Sequence, residues 1–240
     1  MTRSPTIRYN ATTHVGLVRK VNEDSILAAP EVRIWAVADG MGGHAAGDVA
    51  SRMVIDALAM VPPGLAPAAL MQAVRAALHR AHAGIRAEAE ARNAGTMGAT
   101  VVTLVLADGH FVAFWAGDSR LYRFRDGGAE MLTTDHSAVA ELVLAGEMSW
   151  DEAELHPLSN MVTRAAGVGE ALALDKVRGE LRAGDRFLLC SDGLSRYAGL
   201  ETLRRLAAQA PIETVTDTLL SHALAGGARD NVSIIVVDVL

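Results

Sequence analysis

Three apolar runs of this chain finish on an aspartate beside a small residue: Ile34-Trp35-Ala36-Val37-Ala38-Asp39-Gly40, Phe111-Val112-Ala113-Phe114-Trp115-Ala116-Gly117-Asp118-Ser119 and Phe187-Leu188-Leu189-Cys190-Ser191-Asp192-Gly193. Asp230 stands just before a fourth run, and Asn22-Glu23-Asp24 places two more acids in a possible strand near the N-terminus. Asp-Gly is also ordinary turn chemistry, and Asp108-Gly109 and Asp126-Gly127-Gly128 read as hairpin turns between neighbouring runs. What sets the others apart is recurrence after very apolar strands. In antiparallel sheets the end of one strand adjoins the start of the next, so these carboxylates could share one rim. Two carboxylates ~5 Å apart repel by about 3 kcal/mol at an effective dielectric of ~20. A divalent cation relieves that repulsion, and oxygen-only ligands select Mg²⁺ or Mn²⁺ before Zn²⁺.

A rival reading starts from Gly40-Met41-Gly42-Gly43-His44-Ala45, which fits the G-x-G-x-x-[GA] pattern of dinucleotide-binding loops. That fold needs a second parallel strand soon after its helix. Here the helical pattern runs into Pro62-Pro63 and then into another helix. Asp39 would also aim a negative charge at the pyrophosphate.

The elements that must position the acids are legible as periodicity. Apolar residues recur at helical spacing from Ala46 to Leu58 and from Leu70 to Ile85, with Val61-Pro62-Pro63-Gly64 as the turn between them. Short β-branched or aromatic runs at 33–38, 100–106, 111–116, 121–124, 186–190 and 232–239 read as strands. Further helices are expected at 138–145, 150–155, 200–209 and 212–224. Strands and helices fall in separate blocks, which predicts an α+β fold with helices on the outer faces of antiparallel sheets. No linker, repeat or low-complexity tract divides residues 1–240, so one domain is expected.

Half the residues are hydrophobic and the net charge is −6, which argues against a nucleic-acid or anionic-membrane partner. The opening MTRSPTIRYN lacks the apolar core of a signal peptide, and no run approaches the ~20 residues of a membrane span. A cytoplasmic protein is expected. The single cysteine, Cys190, lies in an apolar run and reads as a buried, inert thiol.

Seven blocks stand in order along the chain: Gly16-Leu17-Val18-Arg19-Lys20-Val21-Asn22-Glu23-Asp24, Val37-Ala38-Asp39-Gly40-Met41-Gly42-Gly43-His44, Gly95-Thr96-Met97-Gly98-Ala99-Thr100, Gly117-Asp118-Ser119-Arg120, Thr134-Asp135-His136-Ser137, Ser191-Asp192-Gly193-Leu194 and Asp230-Asn231-Val232-Ser233. As an ordered set they resemble the metal-dependent serine/threonine protein phosphatases of type 2C, the compact bacterial members in particular. The resemblance implies a four-layer α+β sandwich of two antiparallel sheets flanked by helices, with a small helical flap over residues 137–165. It implies two Mn²⁺ or Mg²⁺ ions, or three, at one end of the sandwich. Asp39 would bridge two metals, the Gly40 carbonyl would bind one, and Asp192 and Asp230 would bind the other. Glu23 and Asp24 would hold metal-bound water, and Asp118 would help bind the third ion. Arg19, which alone reads as surface charge beside Lys20, matches the family's phosphate-gripping arginine.

The resemblance implies that such a centre would hydrolyse phosphoserine and phosphothreonine in proteins, opposing a bacterial serine/threonine kinase. The animal-type pattern has His where Met41 stands. His44 either protonates the leaving alkoxide through water or only begins a helix. His79 and His82 are expected on the exposed side of a helix, and they and His14, His110, His156 and His222 are expected to be inert. Two other functions compete: a catalytically dead phosphoprotein-binding module, against which every acidic motif position is filled, and a metal-dependent phosphodiesterase, against which the chain lacks an aromatic-basic groove.

Overall fold

The computed structural model describes residues 5–42, 46–149, 152, 156, 158 and 161–240. The first half of the chain gives β1 (Ile7–His14), β2 (Asp24–Ala29), β3 (Ile34–Gly42), α1 (Ala46–Ala59), α2 (Pro67–Arg92), β4 (Met97–Ala99), β5 (Val101–Ala107) and β6 (His110–Ala116). There follow β7 (Arg120–Arg125), β8 (Gly128–Met131), α3 (Ala138–Leu144), β9 (Asp175–Glu180), β10 (Arg186–Cys190), α4 (Asp192–Ser195), α5 (Leu200–Ala207), α6 (Val215–Ala225) and β11 (Val232–Val239). One sheet has the order β1-β11-β10-β7-β8 and the other β2-β3-β5-β6-β9, with β4 added to β3.

Each central strand buries both faces, which is why its sequence reads as a continuous apolar run. In β6 the period of two sends Phe111, Ala113 and Trp115 into the core between the sheets, and Val112, Phe114 and Ala116 to the side covered by α1 and α2. In β11, Ile235, Val237 and Val239 enter the same central core, while Val232, Ile234 and Val236 pack beneath the C-terminal helices. Three cores between four layers result: helices, sheet, sheet, helices. This is the expected sandwich. Among the described residues no helix is long and apolar enough to cross a membrane.

Local chemistry sets the boundaries. Pro67 opens α2 after an extended Ala66, and Asn93 closes it in the left-handed region with φ 51°. The β5–β6 turn has Asp108 at φ 48° and Gly109 at φ 69°; the β7–β8 turn has Asp126 at φ 51° and Gly127 at φ 77°. Two consecutive positive φ values make the type I′ turn that fits a twisted hairpin.

Several features depart from the periodicity. β1 is a mostly polar strand, held because all eight of its residues pair with β11. β9, with the sequence DKVRGE, is a charged edge strand, as edges commonly are. His82 is buried, contrary to expectation. Its Nδ1 accepts the Gly167 N–H at 3.0 Å, because the segment before β9 folds across the flank of α2. Burial lowers its pKa and keeps it neutral. The helix expected at 150–155 falls largely outside the described residues.

Candidate metal centre

The register of β2 on β3 sets Asp24 directly opposite Asp39. Asp118 lies two residues beyond β6, Asp192 opens α4 just after β10, and Asp230 precedes β11. The two sheets thus bring acids from five chain segments to one end of the sandwich. Backbone contacts tie the segments together: the Thr100 N–H donates to the Asp39 carbonyl at 2.8 Å, and the Thr100 hydroxyl is 2.7 Å from Ser119 Oγ. The Gly40 N–H donates to the Glu23 carbonyl at 3.1 Å. A Cβ at Gly40 would lie 2.1 Å from the Gly47 carbonyl oxygen, and one at Gly193 would lie 1.9 Å from that of Asn231. At these two positions the backbone approach leaves no room for a side chain.

Asp24 Oδ2 accepts from Ser191 Oγ at 2.9 Å, and that hydroxyl accepts the Ser233 N–H at 3.0 Å. Asp192 accepts from Arg196 Nε at 2.9 Å, one turn along the helix. Asp230 Oδ2 accepts from Arg19 Nη2 at 2.8 Å. Asn231 fastens the loop that carries Arg19: its Oδ1 accepts the Glu23 N–H at 2.8 Å, and its Nδ2 donates to the carbonyls of Val15 and Val21 at 2.9 and 3.0 Å. Asp24 Oδ1 and Asp192 Oδ1 are buried with no partner.

Burial, then mutual repulsion, drives the carboxyls toward their neutral forms. Asp24 and Asp118 are pushed up to about 7, each chiefly by desolvation. Asp39 is driven well above the usual carboxylate range by burial and then by Asp24, Asp192, Asp118 and Asp230 in turn. Asp192 is raised by burial, though Arg196 opposes the shift. Glu23 is raised by burial against the pull of Arg19. As they stand, no three acids, histidines or cysteines among the described residues close around one point; Asp192 and Asp230 each give an oxygen to an arginine instead. Two orphaned carboxylate oxygens and a set of acids that repel one another are nonetheless the donor chemistry of a hard divalent cation. The residues fit the metals expected there.

The structure therefore gathers Glu23, Asp24, Asp39, Asp118, Asp192 and Asp230 at one rim, with Arg19 on its margin. His44 lies outside the described residues. Ser191, Asn231 and Arg196 also belong to the rim, and periodicity gives no hint of the first. Arg196 had one signal, the acid-to-base spacing of four from Asp192. His136, from the block Thr134-Asp135-His136-Ser137, adjoins the Asp118 loop. Its Nδ1 accepts the Gly117 N–H at 3.2 Å, next to Asp118, while its Nε2 lies 3.1 Å from Asp175 Oδ2. The His136 backbone also binds Gly117 and Thr163, joining residue 163 to the Asp118 loop. Cys190 is buried, with its thiol pushed up to about 12 by desolvation.

Known proteins resemble this chain over nearly its whole length. Residues 18–231 match the family model described as Protein phosphatase 2C. The serine/threonine protein phosphatase PstP of Mycobacterium tuberculosis is 38% identical over 235 residues, which is 98% of this chain but 45% of that protein. The chain thus spans about half the length of that relative. A solved structure of PppA, described as a key regulatory component of T6SS in Pseudomonas aeruginosa, superposes with a TM-score of 0.91 at 41% identity, covering 98% of both chains. The catalytic domain of PstP in complex with two manganese ions gives 0.86 at 38% identity, covering 99% of this chain and all of that one. The chain belongs to the protein phosphatase 2C family.

Proposed function

We propose that residues 1–240 form one catalytic domain that hydrolyses phosphoserine and phosphothreonine monoesters on proteins, using two Mn²⁺ or Mg²⁺ ions held by the acid rim. One observation carries this reading: buried, mutually repelling carboxylates, two of whose oxygens have no partner, lie beside an arginine at one end of the sandwich. When bound, the cations would supply an acidified water as nucleophile and offset charge on the phosphoryl oxygens.

The chain's own residues do the rest. Asp39 would hold both ions, the Gly40 carbonyl would serve one of them, and Asp192 and Asp230 would serve the other. Glu23 and Asp24 would orient water, and Asp118 would serve a third ion. Arg19, anchored on Asp230 and about half exposed, keeps N–H donors for the substrate's phosphoryl oxygens, whose paired geometry a guanidinium matches. His44 protonates the leaving alkoxide through water.

The flap at 137–165 adjusts which phosphoproteins gain access. The setting we propose is the bacterial cytoplasm, opposite a serine/threonine kinase. The likeness to PppA supports a place in secretion-system signalling.

The test is phosphate release from a phosphothreonine peptide with Mn²⁺, with a chelator, and after Asp39→Ala. Metal-dependent turnover abolished by the substitution supports the enzyme. Peptide binding without turnover would favour a phosphoprotein-binding module, and cleavage of a diester but no monoester a phosphodiesterase.

A further inference from the structure

The far end of β6 carries a feature of opposite character. There a groove of about 380 Å³ lies between the N-terminal half of α2 and β9, the margin of the larger sheet. Its apolar lining includes Met71, Val112 and Phe114, and its charged lining is Arg75, Lys176 and Arg178 against one acid, Asp108. Val112 pairs with Arg178 and Phe114 with Lys176 across β6 and β9. Each cation therefore stands on the same sheet face as the apolar side chain opposite it.

The three cations are exposed, and among the described residues none forms an ion pair. The acids of β9 are by contrast already engaged: Asp175 with His136 and Arg164, Glu180 with Arg182. A chain of net charge −6 thus keeps a local concentration of unneutralised positive charge over an apolar floor. Screening within ~8–10 Å at ordinary salt separates this patch from the acid rim. From Val112 to Asp118 is six residues of β6 and its exit loop, about 20 Å at ~3.3 Å each.

We propose that this groove docks an extended acidic segment of a partner polypeptide, its carboxylates meeting Arg75, Lys176 and Arg178 and an apolar side chain lying over Met71, Val112 and Phe114. Charge complementarity selects the acids, and the floor selects the apolar anchor. In an extended chain alternate residues repeat every ~6.6–6.8 Å, which is also the spacing of Lys176 and Arg178 along β9.

The test measures binding of an unphosphorylated peptide, so it stands or falls independently of the phosphatase reading. A fluorescein-labelled peptide with glutamates at alternate positions around one leucine is titrated with the full chain and followed by anisotropy. We expect saturable binding that weakens with salt. It should fall about tenfold or more when glutamine replaces glutamate, and likewise in the Arg75→Glu/Lys176→Glu/Arg178→Glu variant. That variant should keep the wild-type Tm and its hydrolysis of a small phosphomonoester. If charge reversal lowers Tm, the corresponding triple glutamine variant carries the test. Equal binding of the two peptides, or binding unchanged in the variant, would overturn the proposal. Inorganic phosphate held by the three cations with no peptide binding would overturn it too, in favour of a small-anion site.

Discussion

Four Asp-Gly pairs punctuate this chain, and the two kinds of place they occupy use glycine for different reasons. At Asp108-Gly109 and Asp126-Gly127 the glycines need positive φ, and a Cβ on either would meet nothing within 4 Å. At Asp39-Gly40 and Asp192-Gly193 the added Cβ would collide with backbone at 2.1 and 1.9 Å. The first pair of sites turns a hairpin; the second lets chain segments approach closely enough to converge their acids. The dipeptide is identical, and the strand end on which it sits decides whether its carboxylate is solvated or half-buried among others.

The sharpest way to break that contrast is to remove a rim acid. Asp39→Ala should lower Mn²⁺-dependent hydrolysis of a phosphothreonine peptide by about a thousandfold or more, because several kcal/mol of transition-state stabilisation depend on the metals and each ~1.4 kcal/mol is tenfold. Asp126→Asn, its hairpin counterpart, should leave turnover unchanged in the same steady-state assay.

Next come the glycines. Gly193→Ala forces a backbone shift and should cost about 3 kcal/mol or more, read as a fall in Tm of roughly 6–12 °C at ~2–4 °C per kcal/mol. Gly109→Ala meets no atom and pays only the left-handed backbone penalty of about 1–2 kcal/mol. Equal losses in a thermal melt would contradict the distinction between space and conformation.

The pH dependence is subtler. Asp24 and Asp118 rise from 3.8 to about 7 on folding without metal. A carboxyl with a raised folded pKa binds more protons folded than unfolded between those values. Its contribution is fully present below about pH 4 and lost as pH rises through about 7. Chelator-treated protein should therefore melt lower at pH 8 than at pH 5.5, and saturating Mn²⁺ should shrink the difference. A flat metal-free profile would remove the electrostatic premise.

Much of this contrast was readable from residues alone. Apolar runs ending in Asp marked the rim, and Asp-Gly between short runs marked the hairpins. Among the strands outside the expected runs, β1 and β9 are polar or charged and exist through pairing with β11 and β6, information that no local window contains. The same limit applies to the site's supports. The Ser191–Asp24 hydrogen bond joins residues 167 apart in sequence, and His82 is buried by a segment 85 residues downstream. Local periodicity places a residue on a face; only the tertiary fold says what covers that face.

The rim acids have the donor chemistry of a two-cation site. Equilibrium dialysis of Mn²⁺ against the purified chain tests it without reference to turnover. At least two ions should bind per chain, and both should weaken markedly in Asp39→Ala while Asp126→Asn binds as wild type. Fewer than two ions on the wild-type chain, or binding that survives Asp39→Ala unchanged, would contradict the account.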